Sequence, residues 1–198
     1  FARLLEWEWL GIEPRPTGDA AVFALTQSAS RVHWPHAFRA CLEVALAAGS
    51  LQVGLEILNR DDAPFAFTAA LHTYLRVGRL PAVELPGLEA PPYEDSARNG
   101  AAMPATGAPV RFDGEVDRIY AGSPRTLLLR EADSALHVQA EGFRDTIVWN
   151  PGATLAASMG DLGAGEHLRF VCVESGVVAE PVVLAPGERW LGIQHLRE

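Results

Sequence analysis

Along most of the chain apolar and polar side chains alternate with period two, the pattern of strands that bury one face. Phe38, Ala40, Leu42, Val44 and Leu46 alternate with Arg39, Cys41 and Glu43. Leu51, Val53, Leu55 and Ile57 then alternate with Gln52, Gly54 and Glu56. Gly49-Ser50 joins the two runs, which predicts a β-hairpin. The next stretch, Asn59 to Gly78, opens with a polar turn closed by Pro64 and continues as a strand. Phe65, Phe67, Ala69, Leu71 and Leu75 fall on one face, which reads as core. Ala66, Thr68, Ala70, His72, Tyr74 and Arg76 fall on the other. Small side chains leading up to a histidine leave room for a ligand above that face.

The same reading predicts extended segments at Arg3–Leu10 and Ala21–Thr26, with a turn at Thr17-Gly18-Asp19 between them. Residues 79–110 are broken by Pro81, Pro86, Pro91, Pro92, Pro104 and Pro109, and read as long loops with one short strand at Ala82–Leu85. Tyr93 and Asp95 read as loop residues. Further strands are predicted at Glu115–Tyr120, Thr126–Glu131, Ala135–Glu141, Thr146–Trp149, Leu168–Glu174, Val182–Leu184 and Arg189–Leu196. A short helical turn is expected between Pro151 and Leu162. No long helical period and no repeat stands out. Short strands punctuated by Gly and Pro predict an all-β sandwich, or a larger wrapped pair of sheets, in a single domain over residues 1–198.

Composition narrows the function classes. The 198 residues are 48% hydrophobic, enough for a sizeable core. The net charge of −9 argues against nucleic acid or an anionic membrane as the main partner, though a local arginine cluster can still hold an anionic small ligand. Cys41 and Cys172 are far apart, with neither disulfide-framework nor zinc spacing, so the chain reads as cytoplasmic. No apolar run reaches membrane-spanning length. The chain also reads as a monomer. It begins Phe1-Ala2-Arg3 without a methionine, and a missing upstream piece of the same domain is expected.

The residues that could carry chemistry are few. There is no phosphate-cradling glycine loop, nucleophile elbow or metal-ligand cluster. His33 and His36 share a loop, but no carboxylate or cysteine accompanies them. Glu174 ends the apolar run Phe170–Val173, where partial burial or a cation can move its pKa either way. Asp117 lies beside Arg118, which points to the opposite face. A lone histidine in a strand is more often packed or exposed than reactive, and a strand-end carboxylate usually faces solvent. Taken singly, these residues leave both readings open.

Taken together they resemble one family. His72 in AALHTYLRV, Asp117 in EVDRIY, Trp149-Asn150-Pro151 in IVWNP, Glu174 in VCVESG and the closing PGERWLGIQ are similar, in order and spacing, to the blocks of the hexose-6-phosphate mutarotases. These are the glucose-6-phosphate 1-epimerases of the aldose 1-epimerase superfamily. Arg3 resembles the end of that family's His-Gly-Phe-Ala-Arg block. The resemblance implies a galactose-mutarotase-like β-supersandwich, here lacking its N-terminal strands, with the sugar on a concave sheet face. It implies Glu174 as general base and His72 as general acid for ring opening, with Asp117 holding sugar hydroxyls and Arg3 near the phosphate. It implies no metal and no organic cofactor. The acid and base are expected to line one pocket about a sugar ring apart. Gly152, Leu155, Ala90, Ser96 and Ser175 depart from the family's usual residues, and bear on sugar and phosphate preference. A non-catalytic carbohydrate or sugar-phosphate binding module on the same fold is the alternative.

Overall fold

The computed structural model describes residues 1–15, 18–26, 34–132 and 134–198. Two antiparallel sheets pack face to face. The hairpin forms as the alternation requires, with Phe38 opposite Asn59 at one end and Ala47 opposite Ser50 at the turn. Gly49 takes a φ of 69° there, a left-handed conformation that glycine adopts without strain.

The first sheet is built outward from this hairpin. Its order is β1 (Glu8–Glu13), β2 (Ala20–Thr26), β3 (Phe38–Ala47), β4 (Ser50–Asn59), β15 (Arg189–Arg197), β12 (Ser134–Glu141), β11 (Thr126–Glu131) and β7 (Val83–Glu84). The second sheet runs β5 (Phe65–Leu71), β14 (Phe170–Leu184), β13 (Asp145–Asn150), β10 (Val116–Tyr120), β8 (Tyr93–Asp95) and β9 (Ala101–Met103). A short strand, β6 (Tyr74–Arg76), pairs with the first residues of β14. One helical turn, α1 (Gly152–Ala156), follows β13. The core lies between the sheets in two clusters. One gathers Leu75, Tyr120, Leu127, Val148, Val173 and Leu196. The other gathers Leu25, Phe38, Leu55, Ile57, Phe65 and Leu184. Among the described residues no helix is long and apolar enough to cross a membrane.

Four expectations change. Residues 2–4 form a 3-10 turn, and the extended segment starts only at Glu8. The predicted strands Leu168–Glu174 and Val182–Leu184 are one strand, β14, whose register shifts between Val177 and Val182. Glu174 therefore lies within a strand and not at its end. Tyr93 and Asp95 are buried strand residues, not loop. β8 and β9 hold three residues each, too short for period two to show. Thr17, part of a predicted turn, lies outside the described residues.

Candidate active site

The stretch after Asn59 builds one wall of the site. β5 pairs with β14 up to Leu71 opposite Ser175, and pairing resumes in β6 with Tyr74 opposite Cys172. The register is the same on both sides, so His72 stands across from Glu174. At the interruption the Thr73 N–H turns back to the Leu71 carbonyl at 2.9 Å. Directly opposed residues of an antiparallel pair share a face and lie close enough to touch. Accordingly, His72 Nε2 and Glu174 Oε1 are 3.4 Å apart. This is closer than the sugar-ring separation expected from the sequence, because the two groups sit on neighbouring strands and not on opposite rims.

The same face continues across the sheet. Trp149 on β13 lies opposite Cys172, and Asp117 on β10 lies opposite Trp149. Ile147 lies opposite Glu174 and is itself buried. A Cβ at Gly176, two residues past Glu174, would come 2.7 Å from Ile147 Cδ1, so a side chain there would displace the end of Ile147. On the His72 side the imidazole stacks on Tyr74, with ring centroids 4.9 Å apart, and meets Trp149 edge-on at 5.6 Å. Tyr74 is exposed, and Ala66, Thr68 and Ala70 leave the approach along β5 open, as the small residues suggested. Tyr74 alternates with His72 in sequence, so its place was legible. Trp149 could be placed only once β13 was paired with β14.

Electrostatics set the pair apart. Glu174 is only 7% exposed in its side chain, against 45% for His72. Burial, then the nearby Asp117 charge, push the Glu174 carboxyl up to about 7. Burial pushes His72 down, Arg3 pushes it the same way, and Asp117 opposes them. Attraction across 3.4 Å favours the charged forms, but for both groups desolvation is the larger effect. Asp117 is itself raised by burial, with Glu115 and Asp95 adding and a hydrogen bond from Ser96 opposing. Arg3 is exposed on its 3-10 turn, and its charge reaches both His72 and Tyr74. His72, Glu174, Asp117 and Arg3 thus fall within one electrostatic neighbourhood.

His36 does not join them. It pairs with Asp61 at 3.4 Å and packs against Trp34 and Phe65. His33, its loop partner, lies outside the described residues. Donor atoms of His72, Cys172 and Glu174 all lie within 4.8 Å of one another, a grouping the sequence reading did not anticipate. Burial, with Glu174 adding, pushes the Cys172 thiol far up, so the thiolate that a metal prefers is strongly disfavoured there. A largely apolar cavity of about 750 Å³ lies beside β5, lined by Trp7, Trp34, Phe38, Leu55 and Phe67. Of the four residues above it touches only Arg3. The His72–Glu174 pair therefore sits on an open sheet face outside that cavity. An acid and a base in contact on such a face can move one proton off an oxygen and another onto a neighbouring oxygen.

Comparison with known proteins bears on what that oxygen belongs to. The sequence profile described as Aldose 1-epimerase matches residues 1–197. A Cenchrus ciliaris protein provisionally named glucose-6-phosphate 1-epimerase is 36% identical over 164 residues, 80% of this chain and 50% of its own. An Escherichia coli K12 protein of the same provisional name is 30% identical over 184 residues, 91% of this chain and 60% of its own. The crystal structure of YeaD from Salmonella typhimurium, provisionally named a mutarotase, superposes with a TM-score of 0.89 at 26% identity, covering 100% of this chain and 66% of that one. A galactose mutarotase related enzyme of Lactobacillus acidophilus, at 14% identity and a TM-score of 0.74, shares the fold; it covers 100% of this chain and 73% of its own. The chain thus spans about half to two-thirds of the length of the first three of these relatives.

Proposed function

Because this chain belongs to the aldose 1-epimerase family, we propose that it interconverts the α and β anomers of a hexose 6-phosphate, glucose 6-phosphate first among them. The observation that carries the proposal is the contact of His72 Nε2 with Glu174 Oε1, at 3.4 Å on an open sheet face. In this reading Glu174 takes the proton from the C1 hydroxyl while the His72 imidazolium donates one to the ring oxygen. The C1–O5 bond breaks as the C1 carbonyl forms, the C1–C2 bond rotates, and the reverse transfers close the ring on the other face. Both oxygens are bonded to C1, so an acid and a base side by side can serve them. Asp117 holds sugar hydroxyls, and Arg3 faces the phosphate with the planar fork suited to it.

The pKa directions support these roles. Glu174, pushed up to about 7, is a stronger base than an ordinary carboxylate, while His72, pushed down, is a stronger acid. Each group of this kind contributes about 10² to 10⁴ in rate. We place the reaction in the cytoplasm, where free thiols such as Cys41 and Cys172 persist.

Anomer exchange of glucose 6-phosphate, followed by NMR in the full-length protein, tests the proposal. His72→Ala and Glu174→Gln are each expected to lose at least about a hundredfold in exchange rate. Exchange by both variants at the parent's rate would remove the assignment. Sugar-phosphate binding by calorimetry with no acceleration would favour a binding module instead.

A further inference from the structure

Directly beneath the His72–Glu174 pair, on the inner side of the same sheet, lies a buried polar bridge. Thr73 and Ser175 each follow one member of the pair, and the alternation turns their side chains inward. Gln194 on β15 reaches them from the other sheet and is fully buried. Its Oε1 accepts from the Thr73 hydroxyl at 2.6 Å. Its Nε2 donates to the Val173 carbonyl at 3.0 Å and to Ser175 Oγ at 3.0 Å. One amide thereby uses its acceptor and both donors on three residues that flank the pair.

An apolar side chain would fill this place between the sheets without the cost of burying an amide. The amide does something that packing does not. Pairing with β14 stops at Leu71 and resumes at Tyr74, so the ladder is interrupted where His72 stands. The Thr73 N–H is spent on Leu71. Its hydroxyl, held by Gln194, ties this turn to β14 on either side of Glu174, through the Val173 carbonyl and the Ser175 hydroxyl.

We propose that Thr73, Gln194 and Ser175 form a positioning bridge that sets the spacing of His72 and Glu174. The inference rests on the acid–base reading above. Gln194 acts only through Thr73, Val173 and Ser175. Loosening the bridge lets the His72 turn move away from β14.

The test uses Thr73→Val, which keeps the side-chain shape and removes the hydroxyl, and Thr73→Ser, which keeps the hydroxyl, both in the full-length protein. The charged and titratable groups around His72, which are Glu174, Asp117, Tyr74, Cys172 and Arg3, stay in place. In Thr73→Val the His72 titration, read by NMR, is expected to move up toward its ordinary value as the ring gains solvent. The kcat for anomer exchange is expected to fall roughly tenfold to a hundredfold with KM little changed, the signature of misplaced reacting groups. Thr73→Ser restores both. A folded Thr73→Val whose His72 titration and kcat match the parent overturns the bridge, whatever its melting temperature. If Thr73→Val does not fold, Ser175→Ala is read by the same two criteria. The titration does not depend on activity, so it still decides the bridge if His72→Ala overturns the catalytic reading.

Discussion

Glu174 is where residue-level physics is most exposed to measurement. Its carboxyl is raised from 4.5 to about 7, first by burial and then by Asp117. In the proposed mechanism Glu174 must be ionised and His72, pushed below its ordinary 6.5, protonated, so kcat/KM is expected to trace a bell whose falling limb lies near 7. Asp117→Asn removes the second cause and is expected to move that limb to lower pH, as a pH–rate profile would show. The same shift has a consequence for stability. Between pH 4.5 and about 7 the folded protein holds a proton that the unfolded chain releases, so this group's contribution is full below 4.5 and is lost as pH rises through about 7. The loss corresponds to about 3 kcal/mol. Glu174→Gln is uncharged at every pH, so it is expected to melt above the parent at pH 8 and close to it at pH 4. A Glu174→Gln melting temperature below the parent's at pH 8 would mean that burial does not penalise this charge.

At the scale of elements, period two located the central strands to within a residue or two, because each has one face in the core. β3 and β4 fall where the alternation puts them, and β11, β12 and β15 fall where strands are predicted. The single strand β14 was cut in two because its register shift interrupts the period. That shift is held by Asp145, from the neighbouring strand, which accepts the Val178 and Ala179 N–H groups at 2.7 and 2.9 Å and the Gly122 N–H at 3.2 Å. Asp145→Ala strands these donors, and is expected to destabilise the fold by about 2 to 4 kcal/mol by denaturant titration. Asn150 is a similar case. Its side chain donates to the His167 and Phe170 carbonyls and accepts from the Gly152 N–H, tying α1 to the start of β14. The Trp-Asn-Pro block thus contains a structural clamp, which no local pattern could distinguish from a ligand contact.

For the molecule as a whole, the site depends on segments distant in sequence folding onto one another. The turn that carries Arg3 is anchored by Trp7, whose Nε1 donates to the Ala2 carbonyl at 3.0 Å, and it lines the cavity beside β5. Arg3's charge thereby reaches His72, about seventy residues on. If Arg3 meets the phosphate, Arg3→Ala is expected to raise KM for glucose 6-phosphate about tenfold, one charge-assisted hydrogen bond's worth, and to leave that for glucose unchanged. Equal effects on both sugars would place Arg3 elsewhere. The chain's net charge of −9 makes such a local cation more consequential, since the overall field repels a phosphate.

The chain's own pattern determined that it is all-β, which side chains face inward, and which His, Glu and Asp stand in blocks resembling a mutarotase. Those are local properties, carried by alternation and by short motifs. Tertiary structure decided the remainder. Whether His72 meets Glu174 depends on the register of strands about a hundred residues apart. The height of the Glu174 pKa depends on what Ile147 and Asp117 exclude or add. The bridge under both depends on a glutamine from the opposite sheet. Register, burial and cross-sheet hydrogen bonds arise from non-local pairing, and a one-dimensional pattern carries no measure of them.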